Sequence, residues 1–447
     1  MNSVIIAVIV VVALSLMRVS VVLSLMIGAI TAGLLSGMDV KTIVDVFNKG
    51  LGGGAPVALA YATLGAFAVA LSRTGLTQQF SNWLIGKVNR NTETGKSATS
   101  IKWALFIGLI LAGFASGTII PVHIAFIPIL IPPLLHVMNK LQLDRRAVAC
   151  AITFSITVMY MTFPIGYGVI YLNDIMINNI NKAGAPLGFS VTPDIATPAM
   201  LIPSSGMLIG ILIALLFSYR KKRHYQDVAV EGLSENEAPP PLMLWQKVLI
   251  LAGVVAALVV QLWTDSMIFG GLVGFGLVSM SGVIKWREQD HVLTQGIRLM
   301  ATVGFIMITA TGFSAVISAT GDVPALVEAS AGVIGDNKGM AALIMLLIGL
   351  FITMGIGSSF STVPILTAIY VPLCVSFGFS PMATVAIIGA AGALGDAGSP
   401  ASDSTLGPTA GLNADGQHDH MWDTVVPTFI HFNIPLICTA WLAAMIL

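Results

Sequence analysis

Gly357-Ser358-Ser359-Phe360-Ser361-Thr362-Val363-Pro364 interrupts an apolar unit over about 339–378, and Ala115-Ser116-Gly117-Thr118-Ile119-Ile120-Pro121 interrupts another over about 101–137. A second broken run follows each. The first covers about 145–177 and breaks at Phe163-Pro164-Ile165-Gly166-Tyr167-Gly168. The second covers about 381–410 and breaks at Gly395-Asp396-Ala397-Gly398-Ser399-Pro400. Pro121 pairs with Pro364, and Pro164 with Pro400. A bilayer accepts broken backbone only where protein encloses it or it lines a cavity. Paired interruptions in corresponding positions of two halves are the sequence mark of a transporter binding site. The pattern predicts an all-α polytopic membrane protein with two inverted-topology repeats, each with a re-entrant hairpin and a broken helix.

Composition supports a membrane-embedded chain. Of 447 residues, 56% are hydrophobic and 9% charged, with mean hydropathy +0.91, whereas a soluble domain carries about 25% charge. Cys150, Cys374 and Cys438 stand in separate apolar runs and read as small packing residues. The N-terminus has no basic leader and continues into apolar sequence, so it reads as a first membrane helix rather than a cleaved signal.

Residues 1–219 form the first repeat, 220–243 a polar linker and 244–447 the second repeat. The linker opens with Arg220-Lys221-Lys222-Arg223 and ends with Pro239-Pro240-Pro241. Each half shows two spans, an amphipathic stretch (39–49; 289–298), a span, a further amphipathic stretch (78–88; 322–334), the hairpin, the broken span and a final span. Gly52-Gly53-Gly54 reads as a flexible turn before its span. Because the hairpin returns the chain to its starting side, each half makes five crossings, and an odd number inverts the second half.

The basic residues test this independently. The scheme puts 17 Lys and Arg on one face and only Lys41, Lys49, Lys182 and Lys338 on the other. The positive-inside rule makes the crowded face, with the linker, cytoplasmic. Both termini then lie outside a bacterial-type inner membrane.

Glycine lets a helix end cheaply, and proline frees nearby carbonyls. Freed carbonyls and hydroxyls suit Na⁺, while half-helix N-termini suit an anionic group. The candidate binding residues at the hairpin tips are therefore Ser116, Gly117, Thr118, Ser358, Ser359, Ser361 and Thr362, with Na⁺ expected near Ser358, Thr362 and Asp396. At the second break, Asp396, Ser399, Pro400 and Asp403 are candidates. About fifteen residues of helix precede Asp396, roughly 22 Å, which sets its carboxylate within the hydrocarbon depth and makes it functional by default. Asp403 also suits the cap of a resuming helix. At the first break the candidates are Pro164, Gly166, Asn173 and Asp174, and His123 adds a titratable group near a tip. His431 and Asn433 lie in the last span, while His418, Asp419 and His420 read as a solvated loop. No nucleotide-binding, metalloprotease or nucleophile-elbow motif occurs. The expectation is therefore no enzyme, no cofactor and no nucleic-acid partner, with the bilayer and a small molecule or ion as partners.

The stretches at 357–364 and 395–403 resemble the Na⁺/H⁺ antiporter (NhaC-like) family of the ion transporter superfamily, nearest its YuiF-type permeases, to which histidine uptake is attributed. The resemblance runs over nearly the whole chain and is strongest at 340–410. It implies inverted repeats, re-entrant hairpins and a homodimer, and it carries Ser358, Ser359, Ser361, Thr362, Asp396, Ser399, Pro400 and Asp403 over as site positions. The expected activity is secondary active transport by alternating access, coupled to Na⁺ or H⁺, with a small amino acid such as histidine as cargo. Na⁺/H⁺ antiport without organic cargo is the alternative, and a channel a third. The first half lacks a matching buried acid, which departs from the pattern of a plain exchanger.

Overall fold

The computed structural model describes residues 2–75, 98–118, 127–228, 242–264, 266–322 and 337–447. Their helices form two series of eight, before and after the linker. The first is α1 (Ser3–Leu16), α2 (Val21–Leu35), α3 (Val40–Arg73), α4 (Ala98–Thr118), α5 (Ile127–Lys140), α6 (Arg145–Thr162), α7 (Tyr167–Leu187) and α8 (Pro193–Ser218). The second is α9 (Leu244–Thr264), α10 (Met267–Met280), α11 (Gln289–Ala319), α12 (Lys338–Ile356), α13 (Ser359–Ser376), α14 (Pro381–Ala393), α15 (Asp403–Leu412) and α16 (His420–Ile446). No strand occurs among the described residues.

Side chains set several starts. Asp39, Asp144, Asn337, Ser380 and Ser402 accept backbone N–H groups at the heads of α3, α6, α12, α14 and α15, each satisfying a donor with no partner inside its helix. By length and composition, 8 helices among the described residues suit a membrane crossing, or 9 with α6 and α7, which meet at 55°. The chain is thus a multi-pass, all-α membrane protein. The shorter α1, α2 and α10 have 14, 15 and 14 residues, at about 1.5 Å each.

The glycines at 52–54 correct a sequence expectation. They lie inside α3, which runs unbroken for 34 residues. A Cβ on Gly54 would stand 2.6 Å from the Met307 carbonyl oxygen, and one on Gly296 2.1 Å from the Ala66 nitrogen. Small residues let α3 and α11 bring their backbones together, which is how helices associate where no hydrophobic force separates side chain from lipid. The stretches at 39–49 and 289–298 also continue directly into their spans. The stretch at 78–88, and that at 322–334 beyond Asp322, lie outside the described residues.

Helices α1–α3 and α9–α11 pack mainly among themselves, and α4–α8 mainly with α12–α16. Within the second group the packing recurs when the halves are exchanged. Helix α4 lies on α6 as α12 lies on α14, and α8 on α6 as α16 on α14. Arm α5 lies on α15, past the second break, while arm α13 lies on α7, past the first. The second arm of each unit therefore reaches the broken helix of the opposite half, although α13 packs on α14 of its own half as well.

Candidate functional site

The site forms where the second hairpin tip meets the second break. Helix α12 ends at Gly357, whose φ is +76°, and its N–H donates to the Thr353 carbonyl at 2.7 Å. This left-handed position suits glycine alone among common residues without strain. Ser358 is extended, and Ser359, 1% exposed, starts α13. Helix α14 ends at Leu394, and Gly395 turns the chain with φ +83°. A Cβ there would lie 2.8 Å from the Met354 nitrogen of α12. The break is thus pressed against the hairpin, and Asp396 hangs in the gap before α15.

Three hydroxyls hold the Asp396 carboxylate, which is 6% exposed. Tyr160 Oη donates to Oδ2 at 2.5 Å and Ser404 Oγ to the same oxygen at 3.0 Å, while Ser402 Oγ donates to Oδ1. Tyr160 Oη also lies 2.8 Å from Ser359 Oγ. A phenol from the first half therefore joins the tip and the break of the second. Aromatic contacts fix its ring: Tyr171 at 4.9 Å and Phe360 at 5.7 Å between centroids. Tyr171 is itself tied to the Gly389 carbonyl at 2.8 Å. Asn433 of α16 accepts the Gly395 N–H at 3.2 Å.

Other expected residues sit around this cluster. Ser399 Oγ donates to the Met354 carbonyl at 3.4 Å and accepts the Ala401 N–H at 3.1 Å. The Thr362 hydroxyl donates to the Ser358 carbonyl at 2.8 Å. Asp403 is in the first turn of α15, but Ser402 provides the cap. Its Oδ1 is enclosed without a hydrogen-bond partner, as is the hydroxyl of Tyr61 on α3, which lies within electrostatic reach of Asp403.

The first-half candidates do not join the cluster by hydrogen bonds. Ser116 Oγ donates back to Gly113 of its own helix at 2.8 Å, and Gly117 lies against Met159. Pro164 and Asp174 are exposed, and Gly166 and Asn173 are half-buried, with Asn173 Oδ1 lacking a partner. His123 and Pro121, and the side chains of Thr118 and Ser361, lie outside the described residues. Sequence reading missed Tyr160, Ser402 and Ser404. The signals were a phenol one helical turn before Pro164 and two hydroxyls flanking Asp403.

The loop at 418–420 also departs from expectation. His418 is 1% exposed with Nε2 2.7 Å from Thr424 Oγ1, and burial pushes its pKa down to about 3. His420 Nε2 donates to the Pro400 carbonyl at 2.8 Å, bracing the break from outside, and Asp419 caps α16. His418 is thus buried and His420 half-buried, because hydroxyl and carbonyl partners meet them there, while Asp419 stays exposed as expected of a solvated loop.

Ion pairs gather at the same end. Arg145, fully buried, grips Asp415 with both terminal nitrogens at 2.6 and 2.5 Å, and Tyr225 lies 4.3 Å from its guanidinium. Arg223 reaches Asp423 at 2.7 Å, and Arg146 reaches Asp144 at 2.6 Å. The head of the linker is thereby fastened to both halves.

Residues 151–441 match the model of the Na⁺/H⁺ antiporter family, and residues 2–88 match a second Na⁺-H⁺ antiporter family model. An uncharacterised membrane protein of Vibrio parahaemolyticus is 52% identical over 448 residues, covering both chains completely. YuiF of Bacillus subtilis, provisionally designated an amino acid transporter, is 48% identical over 453 residues, again covering both completely. Among solved structures, the YdaH transporter of Alcanivorax borkumensis superposes with a TM-score of 0.43 at 13% identity, over 91% of this chain and 88% of that one. With a family model covering well over half of its length, the chain belongs to the Na⁺/H⁺ antiporter family and is a multi-pass membrane transporter.

Proposed function

We propose that the protein is a secondary active transporter that works by alternating access and takes up a small amino acid, histidine foremost, with Na⁺ or H⁺. The carrying observation is the Asp396 carboxylate, buried at a helix break and bound by hydroxyls from both halves. A buried acid at this depth is costly unless it serves an ion or substrate pathway. Asp396, together with Asp403, one enclosed oxygen of which is unpartnered, binds the coupling ion. Hydroxyl and backbone oxygens near Ser358, Ser359 and Ser399 complete a hard-oxygen environment for a cation. The designation of YuiF favours amino-acid cargo. The linker and the basic face are cytoplasmic, both termini are outside, and the second repeat is inverted.

Counterflow of radiolabelled histidine in proteoliposomes tests this. Liposomes preloaded with unlabelled histidine should accumulate label transiently, and an imposed Na⁺ or H⁺ gradient should drive net uptake. The family assignment favours one rival, Na⁺/H⁺ exchange alone. Absence of counterflow for every amino acid, with Na⁺-dependent collapse of a pH gradient, would establish the rival and sink the amino-acid reading.

A further inference from the structure

A cavity of about 270 Å³ lies between α4, the α5–α6 turn and the end of α8. Lys102, Arg220 and Lys222 line it with Trp103, Thr99 and Gln142. Among the described residues, none of the three cations makes an ion pair. The acid whose charge acts on Lys102 is Asp144, already held by Arg146 at 2.6 Å. The positions of Arg220 and Lys222 are set by the chain around them. The Arg223 N–H donates to the Gln142 carbonyl at 3.1 Å, and its guanidinium is tied to Asp423 at 2.7 Å. That anchor holds the start of the linker over the cavity mouth.

The surface beside the cavity changes character within two helical turns. On α4, Ile107 and Leu111 are exposed, and on α8, Leu212, Leu216 and Phe217 are exposed. Among the described residues nothing covers these side chains, and in a membrane-spanning chain such faces suit lipid. The cations therefore stand at the end of an apolar seam, with a tryptophan at the level where amphipathic rings favour the interface. A free anion would use the charges and leave the seam without a role. A phospholipid uses both, and basic pockets between membrane helices are the physical form such headgroup sites take.

We propose that this cavity binds the phosphate headgroup of an anionic phospholipid, whose acyl chains lie along the exposed faces of α4 and α8. The full-length protein in nanodiscs tests this. With phosphatidylglycerol present, Tm should be about 3 °C higher than in pure phosphatidylcholine, because a ligand of the folded state raises stability. The gain should shrink at high choline chloride, which screens the contact. In the Lys102→Gln/Arg220→Gln/Lys222→Gln variant the gain should vanish, with Tm in pure phosphatidylcholine unchanged. Equal wild-type Tm in the two lipids, or a gain retained by the variant, would overturn the proposal. So would an equal gain from inorganic phosphate in pure phosphatidylcholine, which would make this a free-anion site. Should the triple variant fail to fold, native mass spectrometry of Lys222→Gln decides. This exposed single change should lower the phosphatidylglycerol-bound fraction, and a wild-type fraction would refute the site.

Discussion

Tyr160 joins Asp396 to Ser359 through one hydroxyl, hydrogen-bonding to both. Its ring packs independently against Tyr171 and Phe360. Tyr160→Phe therefore separates the bonds from the packing. A hydrogen bond to a charged group contributes about 1.5–3 kcal/mol, which is about tenfold or more in affinity. The variant should raise the KM for cargo or coupling ion about tenfold in proteoliposomes, with only a modest fall in ligand-free Tm because Ser402 and Ser404 still hold the carboxylate. A large fall in Tm with unchanged KM would reduce Tyr160 to a packing residue. Asp396→Asn keeps the shape and removes the charge. Gradient-driven accumulation should be lost while expression and folding persist, and accumulation at the wild-type level would exclude Asp396 from coupling. Asp396 was legible from sequence because a charge stands out in an apolar run. Tyr160 was not, since an aromatic residue there looks the same whether its hydroxyl faces a partner or its ring merely fills space.

At the scale of elements, the fastening of α6 to the α15–α16 loop carries a testable cost. Arg145 and Asp415 are 0% and 2% exposed. Removing one partner of such a pair leaves a buried charge and costs about 3–5 kcal/mol, whereas replacing both with apolar residues is often tolerated. Arg145→Met should lower Tm by several degrees, and Arg145→Met/Asp415→Leu should recover much of the loss, both read by thermal denaturation in detergent. Equal destabilisation of the single and double variants would show that the other Arg145 partners, the Leu412 carbonyl and Asn139, dominate. In the same loop, His418 stays neutral when folded, its pKa lowered from 6.5 to about 3 by burial. The unfolded chain takes up a proton below about pH 6.5 and the folded chain does not until about pH 3, so this residue lowers stability across that window as pH falls. The difference in Tm between wild type and His418→Asn should accordingly depend on pH between 7 and 4, the wild type losing more on acidification. Parallel pH profiles would mean that the histidine is not buried neutral. The helix breaks were legible as glycine, proline and hydroxyl clusters. The burial of His418 was not, because polar residues between two apolar runs carry no sign of which partners they will meet. Nor was the continuity of α3 across three glycines, whose reason is a partner helix far along the chain.

Across the whole molecule, the even alternation of matching helices and the crowding of basic residues on one proposed face lead to a topology that labelling can check. Single cysteines at Asn2 and Lys338 should react with an impermeant reagent from outside intact cells, and one at Lys222 only after permeabilisation. Asn2 and Lys222 labelled from the same side would break the five-plus-five scheme. The spans were legible from hydropathy, which acts locally. The grouping of α1–α3 with α9–α11 was not, since it depends on contacts between residues hundreds of positions apart. The crossed covering of the breaks, α5 over α15 and α13 over α7, bears on how the two halves could be made. Residues 1–219 and 244–447 produced as separate polypeptides should accumulate in the membrane only when made together, since each lends an arm to the other's break.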